Sequence, residues 1–383
     1  MNQIECEYFN NGECRSCGLI NQNYQQGLES KFLQLKQLFN QQAIENIVPS
    51  PILNGYRHKA KMVVSGSLDH PVIGIPSEAQ GAQSTNILHC PIHAPLINQI
   101  LQDLPALLKK FKISPYDVKK RKGELKFIIL SQAFKTNEVM LQFTLRSKES
   151  LERLIKINAD LIKKYPHIKV ITASIQPIHK AIIQGDEELI LSDNQAISSQ
   201  LGNTFLTIGP QTFFQINPSV AELLYTRVAQ ELLHLEVKQL IDLYCGAGAF
   251  SLFAASVGIE SKGLEISSNA IELANQAVKI NGLKNCQYMI ADCDKLDLSQ
   301  IAPHGPDKMA IIVNPPRRGL SPYLTERIIQ QRPPILIYSS CNPATLARDL
   351  QILREHYKII KMIPFDMFPY TQHLEVLCIM SIG

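Results

Sequence analysis

At 383 residues, 45% hydrophobic and 19% charged, the chain has the composition of a soluble globular protein and is too long for one ordinary core, so two or three domains are expected. No apolar run approaches the roughly 18 residues needed to cross a bilayer, and Glu5 and Glu7 stand where a signal peptide needs cations; the expectation is a cytoplasmic protein with no membrane span. The net charge of +4 is uneven, because residues 51–130 hold eleven Lys or Arg against five Asp or Glu. Within that segment Arg57-His58-Lys59-Ala60-Lys61 and Lys119-Lys120-Arg121-Lys122 are either solvated faces or footing for a polyanion.

Nine cysteines in a reducing compartment argue against a disulfide framework, which makes each one a possible ligand, nucleophile or core residue. Cys6, Cys14 and Cys17 form a C-x7-C-x2-C arrangement among Gly and Asn residues, whose positive-φ turns let backbone wrap a metal centre. A fourth thiolate closes such a site, and Cys90, stiffened by Pro91, is the best placed. Spacing leaves zinc and an iron-sulfur cluster both open, since there is one C-x-x-C hairpin and two lone cysteines. Apolar residues at 28, 32, 35, 38 and 39 then predict an amphipathic helix leading to the boundary Pro49-Ser50-Pro51.

From residue 46 to about 208, strand-like runs (61–66, 127–130, 169–175) alternate with helical patterns near 96–109 and 150–165, and a hairpin is expected at Gln184-Gly185-Asp186. This segment reads as one mixed α+β domain. A helix over 219–235 opens a carboxyl half in which strand and helix alternate as in a doubly wound sheet, with the hinge near 208.

In that half, Gln239-Leu240-Ile241-Asp242-Leu243 runs into Tyr244-Cys245-Gly246-Ala247-Gly248, a strand followed by a G-x-G turn and a helix over 251–257. The glycines permit close backbone approach to a ligand, and the helix amino terminus offers free N–H donors. About twenty residues on, Glu265 ends the next strand at the position that binds ribose hydroxyls in such sheets, whereas Asp292 after the third strand is open to adenine contact or to solvent. An acidic D-x-x-C-G-x-G without the full dinucleotide motif suits S-adenosylmethionine, a cationic nucleoside. A fourth strand ends in Asn314-Pro315-Pro316-Arg317, whose prolines make a rigid rim and whose amide can meet a nucleobase edge. A fifth, Ile335-Leu336-Ile337-Tyr338, delivers Cys341 to the carboxyl edge where ligands gather. Cys245, Cys286, Cys293 and Cys378 read as packing thiols.

Together DLYCGAGAF, NPPRRG, YSSCNP and the terminal Phe365-Asp366-Met367-Phe368-Pro369-Tyr370-Thr371-Gln372-His373-Leu374-Glu375-Val376 resemble the RNA uracil-C5 methyltransferases. The amino-terminal cysteines with KMVVSGS and RKGELKFIIL resemble that family's iron-sulfur branch acting on 23S rRNA. The resemblance implies a Rossmann-like methyltransferase domain with a mixed seven-stranded sheet over 209–383, a central RNA-binding domain over 46–208 and an iron-sulfur segment over 1–45. It implies Cys341 as nucleophile, Glu375 as base, Gln215, Tyr244, Glu265 and Asn314 around S-adenosylmethionine, and a [4Fe-4S] cluster on Cys6, Cys14, Cys17 and Cys90. Asn314 stands where many relatives carry Asp. Some relatives have a β-barrel RNA-binding domain ahead of these cysteines, which here begin at residue 6, so RNA grip is expected from the basic central domain. The implied substrate is a hairpin loop of 23S rRNA, where a uracil unstacks cheaply, and a monomer is expected. Two rival readings are a base-amine methyltransferase, because N-P-P followed by an aromatic residue marks attack by an exocyclic nitrogen, although Arg317 follows the prolines here, and a non-catalytic RNA-binding iron-sulfur protein.

Overall fold

The apolar runs of the central segment form seven strands: β1 (Lys59–Gly66), β2 (Pro71–Pro76), β3 (Ser84–Asn86), β4 (Leu125–Gln132), β5 (Val139–Leu145), β6 (Ile168–Ile175) and β7 (Glu187–Ile190). They are seen in a computed structural model that describes residues 4–40, 42–76, 84–179, 182–301 and 308–383. The sheet order is β3-β2-β1-β4-β5-β6-β7, antiparallel throughout except for the β5–β6 pair, whose crossover is the helix Leu151–Lys164. Alternation decides the faces: Ala60, Met62 and Val64 of β1 are buried against the helices Pro95–Lys110 and Leu151–Lys164, while Lys59 and Lys61 point the other way. β6 and β7 pair antiparallel, but Gln184-Gly185-Asp186 is not their turn: Gly185 already lies beside the end of β6, its N donating to Ser174 Oγ at 3.0 Å. Next in the chain, β8 (Ile197–Leu201) and β9 (Thr204–Ile208) form a two-stranded sheet.

The carboxyl half builds β10 (Gln239–Leu243), β11 (Glu260–Glu265), β12 (Cys286–Ile290), β13 (Met309–Val313), β14 (Ile335–Ser340), β15 (Tyr357–Phe365) and β16 (Glu375–Ile382). Their order is β12-β11-β10-β13-β14-β16-β15, with the first five in that order parallel and the last two strands antiparallel, so the mixed seven-stranded α/β sheet implied by the resemblance is the one observed. The chain builds outward from β10 to β12 and then returns to β13 on the other side. In open α/β sheets such a reversal marks where ligands bind, here beyond the carboxyl ends of β10 and β13. Because β16 runs antiparallel beside β14, its first residue arrives at the end where β14 finishes.

The compact units divide the chain differently from the three-part expectation. One comprises residues 4–21 with Ile52–Ser199, the other Gln22–Pro51 with Gln200–Gly383. The helix Tyr24–Leu38 therefore belongs with the carboxyl sheet, not with the cysteines. Leu35 and Phe39 enter the core of β10, β13 and β14, the Lys31 ammonium is buried against Asp366, and Val48 bridges to Phe365. The amphipathic pattern shows that a face is buried but not against what. The division at 199/200 lies within β8, in the short β8–β9 sheet that ends at Ile208. Among the described residues no helix is long and apolar enough to cross a membrane.

Candidate active site

Four strands of the carboxyl sheet are in register near their carboxyl ends. Leu264, Leu243, Val313 and Tyr338 are register partners across β11, β10, β13 and β14, so the next row outward is Glu265, Tyr244, Asn314 and Ser339. Three of the four expected cofactor residues thus stand side by side on one rim. The fourth, Gln215, is buried just ahead of Asn217, whose side chain caps the helix Pro218–His234.

The turn after β10 is held at positive φ by Tyr244 (60°), Gly246 (54°) and Gly248 (75°), and Gly248 starts the helix Ala249–Ser256 with no side-chain cap. Gly248 N is taken by Cys245 O and Ser251 N by Asp242, so the donors left for a ligand are those of Ala249 and Phe250. Glu265 leans onto this turn, accepting from Gly246 N at 3.2 Å and from Ser267 N at 3.1 Å. Tyr244 donates to Asp294 Oδ1 at 2.6 Å, and Asp294 takes Arg318 on its other oxygen at 2.8 Å. Beneath them Asp242 is wholly buried; its Oδ2 accepts from Ser251 N and Oγ, its Oδ1 has no partner, and burial pushes the carboxyl up to about 7. Asp292 closes a local turn by accepting from Asp294 N and pairs with Lys295 at 3.0 Å.

Cys341 follows β14 in a braced loop. Asn342 N donates to Ser340 Oγ at 3.1 Å, and Asn342 Nδ2 donates to Arg317 O at 2.9 Å, which joins the cysteine loop to the N-P-P-R rim. Ser340 pairs with Val376 in β16, so the next position outward brings half-buried Cys341 beside Glu375. Glu375 is 1% exposed, accepts from Ser339 Oγ at 2.6 Å through Oε1, and leaves Oε2 buried without a partner. Burial pushes its carboxyl up to about 7 against the opposing pull of Ser339. A carboxyl poised there is suited to accept a proton at neutral pH. Burial also raises the Cys341 thiol, as does the charge of Glu375, while the cation and hydrogen bond of Arg317 pull it down.

Cys6, Cys14, Cys17 and Cys90 line a single cavity of about 150 Å³ together with Arg57, Lys61 and His93. Cys90 is fixed by Asn98, which accepts from its N at 3.1 Å and donates to its O at 2.9 Å. Burial pushes the Cys17 thiol up to about 12, reinforced by Cys90, Cys14 and Cys6, and raises Cys90 to about 11. Buried thiols raised in this way need a cationic centre before they ionise. Among the described residues, however, no three Cys, His, Asp or Glu side chains converge closely enough to hold one metal ion. The other four cysteines, 245, 286, 293 and 378, are buried.

The residue reading passed over Arg317, Ser339 and Lys31. Ser339 was recoverable, because strand alternation puts it on the same face as Cys341 two residues on. Lys31 interrupts an otherwise apolar helical stripe at 28 and 35 and is 1% exposed. Arg317 carries no such mark, since its effect on Cys341 arises only where two loops meet.

A family model described as tRNA (uracil-5-)-methyltransferase matches residues 23–381. A 23S rRNA (uracil(747)-C(5))-methyltransferase of Shewanella amazonensis is 38% identical over 98% of this chain and 97% of its own length, and one of Xenorhabdus nematophila is 34% identical over 98% and 99%. Among solved structures, Pyrococcus abyssi tRNA (uracil-54, C5)-methyltransferase in complex with S-adenosyl-L-homocysteine superimposes with a TM-score of 0.80 at 28% identity, covering 96% of this chain and 86% of that one.

Proposed function

The chain belongs to the tRNA (uracil-5-)-methyltransferase family, and from that membership we infer that it transfers a methyl group from S-adenosylmethionine to carbon 5 of a uracil in 23S rRNA, at the uridine 747 for which its relatives are named. The observation that carries the reading is the meeting of Cys341 and Glu375 across β14 and β16, next to the Glu265-Tyr244-Asn314 rim.

Carbon 5 of uracil is too weak a nucleophile to attack a sulfonium methyl unaided. The Cys341 thiolate adds to carbon 6, which turns carbon 5 into an enolate-like carbanion. That carbon takes the methyl group, and S-adenosylhomocysteine is left. Glu375 Oε2 then accepts the carbon 5 proton, the carbon 5–carbon 6 double bond re-forms, and the thiolate departs. Arg317 stabilises the thiolate at both ends of this cycle. Glu265 binds the ribose hydroxyls of the methyl donor, Gln215 and Tyr244 complete its pocket, and Asn314 lies between the donor and Cys341. The uracil must leave its stack to reach Cys341, which favours a hairpin loop, and the lysine-rich run at 119–122 grips the phosphates.

Cys6, Cys14, Cys17 and Cys90 hold a [4Fe-4S] cluster in this reading. In such a cluster each thiolate meets its own iron, so four thiols can share a cavity without three converging on one point, as a single zinc ion would demand. When bound, the cluster supplies a four-point link between residues 6–17 and residue 90.

Incubating the protein with methyl-labelled S-adenosylmethionine and total RNA lacking the modification tests the whole reading. Label in 5-methyluridine at one site of 23S rRNA is the expected result. Label on an exocyclic amine would indicate a base-amine methyltransferase, and no transfer would indicate a binding protein.

A further inference from the structure

The segment 366–374 leaves β15, turns through Tyr370 at φ +63°, and enters β16 at Glu375. One face of the helix Tyr24–Leu38 grips it. Tyr24 donates to Asp366 Oδ2 at 2.8 Å, and Gln34 donates to Gln372 Oε1 at 2.9 Å. Between them the Lys31 ammonium donates to Asp366 Oδ1 at 2.5 Å, to Phe368 O at 3.0 Å and to His373 O at 3.1 Å. An ammonium has three protons, and all three are committed to this one segment, the last of them two residues ahead of Glu375.

Lys31 and Asp366 are 1% and 0% exposed. Taking such a pair out of water is costly, and apolar residues of similar volume commonly serve stability as well or better. A pair retained at that cost is explained by what it orients. The Asp366 contact supplies the counter-charge, and the two carbonyl contacts close the turn at both ends with a geometry that no apolar side chain reproduces.

We propose that Lys31 is a positioning residue for the reaction: through Phe368 O and His373 O it fixes the segment that aims Glu375 Oε2 at carbon 5. This rests on the reading of Glu375 as the base. It predicts a defect confined to proton removal, with addition and methyl transfer intact.

The test compares the parent with Lys31→Met/Asp366→Asn, which leaves no buried charge unpaired and keeps an acceptor for Tyr24. Two RNA hairpins are used, one with uridine and one with 5-fluorouridine at the target. Fluorouridine has no carbon 5 proton to remove, so the rate of trapping a covalent adduct on it reports addition and methyl transfer alone. The double variant is expected to melt and bind RNA like the parent and to trap fluorouridine RNA at the parent's rate. On uridine RNA it should release 5-methyluridine at least tenfold more slowly, with methyl-labelled protein-RNA adduct accumulating. Normal release, equal slowing on both RNAs, or failure of the double variant to fold would overturn the proposal. If the parent itself traps no adduct on fluorouridine RNA, the covalent mechanism fails, and the positioning role fails with it for that separate reason.

Discussion

Glu375 takes a 2.6 Å hydrogen bond from Ser339 on one carboxylate oxygen while the other lies buried and unpartnered. The first bond orients the group, and the second oxygen is left for a proton. Because burial raises the carboxyl from 4.5 to about 7, the folded state favours its protonated form. A raised folded pKa contributes stability that is complete below about 4.5 and lost as the pH climbs through about 7. The wild type should therefore lose up to about 3 kcal/mol across that window that Glu375→Gln does not lose. Melting curves at pH 5 and pH 8 check this, and an identical pH dependence for the two proteins would remove the buried carboxyl from the account. Release of methylated RNA in single turnovers should rise in the opposite sense, with a midpoint near pH 7, as the base ionises.

Gly248→Ala should damage both fold and cofactor site. At φ 75° a Cβ there would lie 2.2 Å from the Tyr288 hydroxyl and 2.4 Å from its ring; the ring is buried, and the hydroxyl already donates to Gly248 O at 2.8 Å. Neither backbone nor ring can give way cheaply, so a cost of about 1–3 kcal/mol is expected. The shifted turn should weaken S-adenosylmethionine binding at least tenfold by calorimetry. Unchanged affinity would mean that the turn does not cradle the ligand.

Much of the rim was legible because each piece is local. A strand followed by Gly-x-Gly, or by Asn-Pro-Pro, announces its own end, and in a parallel sheet strand ends gather on one side. The pairing of β16 with β14 is not local, since nothing in the alternation of Leu374 to Met380 says which strand it lies beside. Cys341 and Glu375 were joined beforehand by family resemblance, not by periodicity. β14 runs two residues past the expected end at Tyr338, because Ser339 and Ser340 stay in the ladder with Leu377 and Val376 and polarity alone does not stop a strand whose backbone is paired. The partner of the helix Tyr24–Leu38 was invisible for the same reason, as Lys31 and Asp366 lie 335 residues apart.

The cysteine cavity makes a separate prediction. Protein purified without oxygen should be brown and should bleach on reduction. Cys17→Ser should loosen residues 6–17, seen as faster proteolysis there, while S-adenosylmethionine affinity holds, because the cavity and the cofactor rim belong to different compact units. Colourless protein with one zinc per chain would overturn the iron assignment.

Reversing Lys119, Lys120 and Arg121 to Glu should weaken RNA binding and flatten its salt dependence. The turn is solvent-exposed and closed by Asp117, which accepts from Lys119 N and Lys120 N, so the lysine side chains are not required for the turn itself. Each lost phosphate contact lowers the logarithmic salt slope by about 0.7 to 0.9. Equal binding by variant and parent at several salt concentrations would return the run to an ordinary solvated face.

The order of bond making separates nucleophile from base. Cys341→Ala removes the first bond-forming step, so neither a protein-RNA adduct nor methyl transfer should be detected. Glu375→Gln keeps the thiol, the Arg317 contact and the cofactor rim but cannot take the carbon 5 proton. Addition and methylation should then proceed while elimination stalls, and a denaturation-resistant adduct carrying the labelled methyl should accumulate at about one per enzyme. The double variant should form none. The amide that Glu375→Gln introduces can still accept from Ser339, so loss of the Ser339 bond does not explain a stall. If Cys341→Ala still produces 5-methyluridine, covalent addition through this thiol is ruled out. If Glu375→Gln turns over at the parent's rate without an adduct, the proton leaves to another group, and the buried carboxylate opposite Cys341 serves only the fold.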